Sequence, residues 1–263
     1  MGVTIAVAAD ERARRSTRPL GWAARIGLLV PSINTVVEGE LHAMAPPGVA
    51  FLTARLVARN DISNEEVEEN LTGLVADVDS GLAMLPLPEL DGIAFCCTSA
   101  SFYRGGAWDR ELGARIEKAC VKPTVTTSTA FLDALRELGA SSVAVGSPYV
   151  DLVNERLRAF LETNGFNVSS FEALHTKSAF ENGNHSPATI KALAHSADSS
   201  AADALFLPCT NFPSASVIEE LEQELGKPVV SANQATLWQI LRAVGIDEPI
   251  DGYGELLRLT ARV

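Results

Sequence analysis

From Arg25 onward the chain alternates short apolar runs with longer amphipathic segments, and few folds accept this alternation. Apolar runs bounded by Gly, Pro and polar clusters predict buried strands of a parallel sheet, and the amphipathic segments predict the connecting helices. The predicted strands are RIGLLV, VAFLTARL, GIAFCC, PTVTT, SVAVGS, NVSSFEAL, ALFLPC and PVVSA. The predicted helices include 65–84, 106–120, 128–138, 150–164, 187–196, 214–225 and 234–244.

The two halves of the chain share one layout. RIGLLV runs into PSIN and SVAVGS runs into PY, whereas GIAFCC runs into TSAS and ALFLPC runs into TNFP. We therefore predict an α/β fold of two similar parallel-sheet lobes related by a pseudo-two-fold axis, residues 25–125 and 126–263, after a flexible N-terminal extension, 1–24. Ligands of open α/β sheets bind outside the carboxyl ends of the strands, so we expect the active site in the cleft between the lobes.

Composition argues against several classes of partner. The chain carries 33 acidic and 21 basic residues, a formal net charge of −12, and no dense Lys/Arg cluster, so we expect no nucleic-acid partner. No apolar stretch approaches the roughly 18 residues that span a bilayer, so we expect no membrane partner. Four cysteines without a CxxC pair indicate free thiols in a reducing compartment, and we expect a cytoplasmic protein.

Two cysteines stand at equivalent strand ends of the two halves. Cys97 and Cys209 each follow an apolar run and precede hydroxyl or amide residues with free backbone N–H groups. Such a turn favours a thiolate over a thiol. Because side chains alternate along a strand, we expect Cys97 to face the cleft and Cys96 to lie in the core. Cys120, at the end of an amphipathic helix, is predicted to be structural.

The same strand ends carry neutral hydrogen-bonding side chains, a set that suits carboxylate oxygens and developing negative charge. These candidate cleft residues are Ser32, Asn34, Thr98, Ser99, Tyr149, Thr210 and Asn211. Each is also an ordinary turn residue. The four histidines lack metal-ligand spacing, and GxGxxG, GxxxxGK[ST] and GxSxG are absent from the sequence. We therefore predict thiol chemistry without a metal or another cofactor.

Several motifs together resemble one enzyme family. GLLVPSINTVVEGEL is similar to the opening strand and PSxNxxVExE motif of maleate cis-trans isomerase, and CTSASFYRG is similar to the TSxSFYRG segment of arylmalonate decarboxylase. SPYVDLVNERLRAFLETNGF resembles both, as do PCTNFPS at the second cysteine and GKPVVSANQATLW near the end. From residue 25 to about 257, the chain resembles this branch of the Asp/Glu racemase superfamily.

The resemblance implies roles for particular residues. Cys97 and Cys209 correspond to two catalytic thiols, and a carboxylate-binding shell corresponds to Asn34, Thr98, Ser99, Tyr149 and Thr210. The decarboxylase has Gly at the position of Cys97, so a chain with both thiols favours isomerase or racemase chemistry. The isomerase also uses an Asn in the region of HTKSAFENGN, for which Asn182 and Asn184 are both candidates.

The favoured activity is cis-trans isomerisation of a small mono- or dicarboxylate, in which Cys97 adds to the double bond and Cys209 moves a proton. The alternatives are a two-thiol racemase acting on an amino or hydantoin-type acid, an arylmalonate-type decarboxylase that protonates through Cys209, and a non-catalytic carboxylate-binding protein. The apolar segment YGELLRLTARV is compatible with a homo-oligomer and equally with docking on its own lobe.

Overall fold

Two four-stranded parallel sheets form the centre of the protein, whose computed structural model describes residues 18–60 and 64–260. The first sheet has the strand order β2-β1-β3-β4 and the second has the order β6-β5-β7-β8. The second order repeats the first with every strand number raised by four, and all pairings are parallel. The predicted pair of similar α/β lobes is therefore confirmed.

All eight predicted strands form. They are β1 Ala24–Pro31, β2 Val49–Leu56, β3 Gly92–Phe95, β4 Thr124–Thr126, β5 Ser142–Ser147, β6 Asn167–Ala173, β7 Ala204–Leu207 and β8 Val229–Ser231. The strands β3 and β7 each end two residues before the cysteine that the prediction placed inside the strand. Cys97 and Cys209 therefore lie in the turns that follow β3 and β7.

The helices surround the sheets. They are α1 Val37–Met44, α2 Val67–Ala76, α3 Val78–Ala83, α4 Thr98–Phe102, α5 Gly106–Cys120, α6 Thr127–Glu137, α7 Asp151–Thr163, α8 Ala179–Asn182, α9 Pro187–Ala197, α10 Ile218–Leu225, α11 Ala232–Ala243 and α12 Glu255–Arg258. Short 3-10 turns occupy Asn64–Glu66, Leu87–Glu89 and Ala215–Val217.

The single helix predicted over 65–84 is wrong, because the segment is divided at Asp77. Asp77 has ψ near 0°, away from the helical value, and its carboxylate accepts a hydrogen bond from the backbone N–H of Val57 at 3.1 Å. Val57 directly follows β2. The bend lets α2 lie near the cleft while α3 packs against β2.

Local capping explains where several helices begin. The Thr126 side chain accepts from the Thr129 N–H at the start of α6, and Ser231 with Gln234 forms a capping box at the start of α11. In both lobes the fourth strand therefore leads directly into a capped helix. The cap residue is itself the last residue of the strand.

These two equivalent helices, α6 and α11, pack against each other where the lobes meet. The buried Thr236 hydroxyl donates to the Thr127 hydroxyl at 3.1 Å, and the Gln239 amide donates to Asp133 at 2.6 Å. The hydrophobic core runs through both sheets without interruption. The docking brings the carboxyl ends of both sheets to one cleft.

The predicted N-terminal extension lies partly outside the described residues, which begin at residue 18. Within the part that is described, Ala23 N–H donates to the carbonyl of Gly48 at 2.9 Å, and the Trp22 ring covers Gly48. Among the helices of residues 18–60 and 64–260, none has the length and apolar character needed to cross a membrane.

Candidate active site

A cavity of about 540 Å³ opens between the carboxyl ends of the two sheets. It is lined by every residue that the sequence nominated for catalysis or substrate binding: Cys97, Cys209, Asn34, Thr98, Ser99, Tyr149, Thr210 and Asn211. Ser32 is the exception among the wider set of cleft candidates. Its exposed side chain instead joins the ends of β1 and β2, donating to the Ala58 carbonyl at 3.3 Å.

Cys97 lies at the N-terminal end of α4 with extended backbone angles. Its sulfur receives a hydrogen bond from the Ala100 N–H and lies 3.8 Å from the Ser99 hydroxyl. Buried hydroxyls brace this turn, because both Ser101 and Ser128 donate to the Thr98 carbonyl. The structure therefore fixes the first thiol through a short helix and its neighbour α6.

The prediction that Cys96 lies in the core agrees with its burial, although the argument used for it does not hold. Cys96 is fully buried and its thiol turns back toward the carbonyl of Ala94. The strand ends at Phe95, so a turn rather than strand alternation directs Cys97 toward the cavity.

Cys209 adopts a left-handed backbone conformation, with φ of 86°. A non-glycine residue in that region carries a strain of about 1–3 kcal/mol and persists only where its surroundings hold it. The Cys209 carbonyl accepts from the Phe212 N–H at 3.2 Å, and the Asn211 N–H donates to the Cys209 sulfur. The strained backbone aims the second thiol into the cavity that Cys97 lines.

Both thiols are held in the protonated form, contrary to the prediction of a depressed pKa. Burial raises the pKa of Cys97, and hydrogen bonds from Ala100 and Ser99 offset only part of this effect. Burial likewise raises the pKa of Cys209 to about 12, against the opposing effect of the Asn211 N–H and the Tyr149 hydroxyl. The N–H donors that the sequence predicted are present, but desolvation is the larger influence.

Tyr149 is buried next to the thiol of Cys209, and the charges of both Cys209 and Cys97 act on its hydroxyl. Burial raises the pKa of its hydroxyl well above the usual value, and the nearby Cys209 and Cys97 raise it further. The hydroxyl therefore stays protonated and serves as a neutral hydrogen-bond donor toward Cys209.

Asn34 and Thr210 tie the two lobes together at the cavity wall. The Asn34 amide accepts from the Val36 and Val37 N–H groups at 2.9 and 3.0 Å, and donates to the Thr210 hydroxyl at 3.1 Å. That hydroxyl in turn donates to the Cys96 carbonyl at 3.0 Å. Most of the hydrogen-bonding capacity of this pair is engaged in holding the site together.

Asn211 performs a similar structural task. Its side-chain oxygen accepts from the Thr35 N–H at 2.8 Å, and its amide group donates to the Ala179 carbonyl at 2.6 Å. It thereby joins the loop after β1, the loop after β7 and the helix α8.

Thr98 and Asn182 present polar atoms at the cavity wall. Thr98 Oγ1 is buried, and its hydroxyl interacts with the hydroxyl of Tyr149. Asn182 Oδ1 is buried without a hydrogen-bond partner in the described part of the chain. Asn184, the other candidate, is exposed and donates to the Phe180 carbonyl at 2.6 Å. Buried polar atoms generally find partners, so the side-chain amide of Asn182 is suited to hold a ligand: its oxygen can accept from a ligand donor, and its NH2 group can donate to a carboxylate.

An apolar wall and a polar rim complete the cavity, and the sequence did not indicate either. Val67, Leu71 and Leu74 project from α2 into the cavity, and Asn60 and Lys177 stand among the rim residues. Asn60 accepts from the Ala179 N–H at 2.9 Å and so joins the two lobes at the rim. The amphipathic pattern of α2 was visible in the sequence, but its direction toward the cleft follows from the bend at Asp77.

Comparison with known proteins identifies the family of this fold and cavity. The family model described as arylmalonate decarboxylase matches residues 26–257. The arylmalonate decarboxylase of Bordetella bronchiseptica is 36% identical over 234 residues, covering 88% of this chain and 95% of that protein. The maleate isomerase of Nocardia farcinica is 31% identical over 252 residues, covering 91% and 97%.

Solved structures give the same result. A cysteine-to-alanine variant of the Pseudomonas putida S16 maleate isomerase with maleate superposes with a TM-score of 0.84 at 26% identity, covering 89% of this chain and 97% of that chain. A cysteine-to-serine variant of the Nocardia farcinica maleate cis-trans isomerase, with a covalently bound succinylcysteine intermediate, superposes with a TM-score of 0.83 at 28% identity, covering 89% and 98%. The chain therefore belongs to the arylmalonate decarboxylase family, within the branch of the Asp/Glu racemase superfamily that includes the maleate isomerases.

Proposed function

We propose that this protein is a cofactor-independent isomerase that converts maleate, or a closely related cis-dicarboxylate, into its trans isomer. The observation that carries the proposal is the pair of thiols, Cys97 and Cys209, that lines one cavity from equivalent turns of two lobes. Relatives named maleate isomerase and the neighbour with a succinylcysteine intermediate support the same chemistry.

In the first step, Cys97 releases its proton to solvent as the substrate enters, and its thiolate adds to one carbon of the double bond. The Ala100 N–H and the Ser99 hydroxyl, already directed at this sulfur, stabilise its negative charge. The new carbon–sulfur bond leaves an electron pair on the neighbouring carbon. Cys209 donates its proton to that carbon and becomes a thiolate, giving a succinyl thioether on Cys97.

In the second step, the former double bond is a single bond and the adduct rotates about it. The Cys209 thiolate removes the proton that it had donated, the double bond reforms in the trans geometry, and Cys97 leaves as a thiolate. The raised pKa of Cys209 makes its thiolate a strong base for this removal. Atoms and charges balance, and both sulfurs return to the state in which the addition began.

The carboxylates require donors on the cavity wall. We assign this task to the Thr98 hydroxyl, which can rotate from the Tyr149 oxygen toward a ligand, and to the side-chain NH2 group of Asn182. The Ser99 and Tyr149 hydroxyls remain with the sulfurs of Cys97 and Cys209. Asn34, Thr210 and Asn211 support these groups by holding the surrounding loops, and their remaining N–H groups and backbone complete the wall.

The test is proton NMR of the reduced 263-residue protein with maleate in deuterium oxide, with Cys97→Ser, Cys209→Ser and Cys120→Ser variants. Cys120 is buried at the end of α5 and does not line the cavity, so its variant is the matched control. We expect fumarate from the wild type and from Cys120→Ser, and a loss of at least about a thousandfold in the other two.

Other outcomes point to the other activities of the family. Conversion of arylmalonate without isomerisation of maleate, retained in Cys97→Ser, would replace the proposal with a decarboxylase. Exchange of the alpha proton of a chiral acid, lost in both serine variants, would replace it with a racemase. Full activity in Cys209→Ser would contradict the two-thiol scheme itself.

A further inference from the structure

A carboxylate of the first lobe lies against the loop of the second lobe that carries Cys209. Glu40, on α1, is partly buried between the lobes. Its Oε1 accepts from the Ala215 N–H at 2.7 Å and its Oε2 accepts from the Asn233 amide at 2.7 Å. Both donors belong to the second lobe, so Glu40 bridges the lobes with two charge-assisted hydrogen bonds.

The bridge extends to the residue next to the thiol. The amide nitrogen of Asn233, which donates to Glu40, also donates to the Thr210 carbonyl at 3.0 Å. Asn233 is almost fully buried at the start of α11 and holds these two oxygens from one nitrogen. Glu40 thus supports residues 210–215 at both ends, through Asn233 at Thr210 and directly at Ala215.

The pseudo-two-fold relation between the lobes shows that this carboxylate has a counterpart of opposite charge. Glu40 stands nine residues beyond the end of β1 at Pro31, and Arg156 stands nine residues beyond the end of β5 at Ser147. The two positions occupy equivalent helices, α1 and α7, in their lobes.

The partners of the two side chains lie at the same spacing from the two cysteines, although the kinds of contact differ. Ala215 lies six residues after Cys209, and Tyr103 lies six residues after Cys97. Arg156 stacks over the Tyr103 ring at 5.4 Å from the ring centroid. Glu40 is therefore hydrogen-bonded to the loop that carries Cys209, whereas the exposed Arg156 contacts the ring of Tyr103, which follows α4.

We propose that Glu40 is a positioning residue for Cys209: its carboxylate holds the loop 209–215 against the first lobe, and its negative charge adds to the burial of the sulfur in disfavouring the Cys209 thiolate. The proposal rests on the proposed function in one respect, since a protonated Cys209 is what the isomerase scheme needs as an acid. The charge of Glu40 would then add to the difference in backbone conformation, extended at Cys97 and left-handed at Cys209, that already separates the two thiols.

The electrostatics agree with this geometry. Burial is the largest cause that raises the pKa of Cys209, the hydrogen bonds from Asn211 and Tyr149 lower it, and the charges of Cys97 and Glu40 raise it by smaller amounts. Burial raises the pKa of Glu40 itself to about 7, and the hydrogen bonds from Asn233 and Ala215 oppose that effect. The carboxylate consequently gains its charge near neutral pH.

The other titratable groups around α1 have their own partners. Glu38 on the same helix pairs with Arg55 of β2, and His42 packs edge-on against a phenylalanine of β2. From the C-terminal segment, the Tyr253 hydroxyl donates to a carbonyl of α1 at 3.0 Å. Across the lobe boundary, Glu40 faces the neutral Asn233 amide, the Ala215 N–H and the Cys209 thiol.

The test measures the alkylation of each cysteine by iodoacetamide in the reduced, substrate-free protein from pH 5.5 to 9, with peptide mass spectrometry to assign the rates. In the wild type we expect the logarithm of the Cys209 rate to rise with pH, to flatten near pH 7 where Glu40 ionises, and to rise again. The flattening is expected in the wild-type profile itself, so it can be observed without comparison with a variant.

In Glu40→Gln the flattening should vanish, and above pH 8 Cys209 should react about three to ten times faster than in the wild type, the equivalent of roughly half to one pKa unit. The rate at Cys97 should change less than twofold. Glu111→Gln removes one charge from an exposed position on α5 and should match the wild type throughout.

Equal Cys209 rates in the wild type and Glu40→Gln at every pH would overturn the proposal. A constant ratio from pH 6 to pH 8.5 would also overturn it, because simple loosening of the loop does not depend on the ionisation of Glu40. Since no substrate is present, the result is independent of whether maleate is the substrate. A failure of the proposed function is therefore distinguishable from a failure of this inference.

Discussion

Asn34 of the first lobe and Thr210 of the second lobe are joined by a hydrogen bond of 3.1 Å from the Asn34 amide to the Thr210 hydroxyl. The same Asn34 side chain caps the start of α1 through two backbone N–H groups, and Thr210 follows directly after Cys209. One amide thus connects the first helix of one lobe to the thiol-bearing turn of the other.

The first prediction concerns this link. Replacing Asn34 with Ala removes three hydrogen bonds and should lower the free energy of unfolding by about 2–4 kcal/mol. Urea unfolding followed by circular dichroism measures the change. Asn167→Ala, at an exposed position, is the control and should cost less than about 1 kcal/mol. If Asn34→Ala and Asn167→Ala had the same free energy of unfolding, the hydrogen bonds of Asn34 would not stabilise the contact between the lobes.

The second prediction separates two neighbouring asparagines. Asn182 lines the cavity with a buried oxygen that has no partner in the described residues, whereas Asn184 is exposed and bonded to the Phe180 carbonyl. The NH2 group of Asn182 is the part of this side chain that can donate to a carboxylate, so we expect Asn182→Ala to lower kcat/KM for maleate by about 10–100-fold, the loss of one hydrogen bond to a charged group. Asn184→Ala should stay within about twofold of the wild type. Steady-state kinetics on both variants decides the assignment, which reverses if Asn184→Ala is the impaired one.

The third prediction concerns pH. Burial raises the pKa of Cys97, so the thiol is protonated at neutral pH and loses its proton as the pH rises. Because the thiolate is the nucleophile, kcat/KM should increase from pH 6 to pH 9, by up to about tenfold per unit. Initial rates at constant ionic strength test this, with circular dichroism to verify folding at each pH. A plateau that begins at or below pH 7 would mean that Cys97 is already ionised there.

The fourth prediction concerns Tyr149. Its hydroxyl lowers the pKa of Cys209, so removing it makes this thiol a weaker acid. Tyr149→Phe should reduce kcat by about 10–100-fold, the range of a partly impaired general acid. In Tyr253→Phe, whose hydroxyl bonds a carbonyl of α1 away from the cavity, kcat should change by less than about twofold. An unchanged kcat in Tyr149→Phe would remove this residue from the proton-transfer step.

The fifth prediction concerns substrate size. The apolar wall of Val67, Leu71 and Leu74 leaves room beyond an unsubstituted dicarboxylate in a cavity of about 540 Å³. We expect 2-methylmaleate to be converted with a kcat/KM within about tenfold of that for maleate.

The matched variants are Val67→Thr, which keeps the shape but adds a hydroxyl, and Val57→Thr at an exposed site. Val67→Thr should lower the preference for the methyl-substituted substrate about fourfold, the effect of one buried methylene-sized group, and Val57→Thr should leave it unchanged. A wild type that rejects 2-methylmaleate completely would show that the wall closes around the smaller substrate.

The architecture was accessible from sequence because its signals are local and repeated. Apolar runs such as RIGLLV and SVAVGS are long enough to mark strands, and the matching ends of the two halves predicted one cleft. The break at Asp77 was not accessible, because it depends on the backbone of Val57, twenty residues earlier in the chain. Side chains that act on distant backbone leave no periodic trace in a sequence.

The candidate site likewise has features that could be predicted from the sequence and features that could not. Cys97, Cys209 and their neighbours in the turns line the cavity as expected, because strand ends of parallel sheets meet at one edge. The protonation of the thiols was mispredicted, since the turn supplies N–H donors but only the folded protein shows how deeply the sulfurs are buried. The bridge from Glu40 to Ala215 and Asn233 was likewise missed, because lobe docking creates it.

The backbone of Cys209, with φ of 86°, has a consequence for how this protein can change. Glycine is the residue that this conformation accommodates most readily, so a glycine at 209 would relieve local strain while deleting the thiol. Selection for stability alone and selection for thiol chemistry therefore pull in opposite directions at this single position. A stabilised descendant of this chain is more easily reached by losing Cys209 than by keeping it.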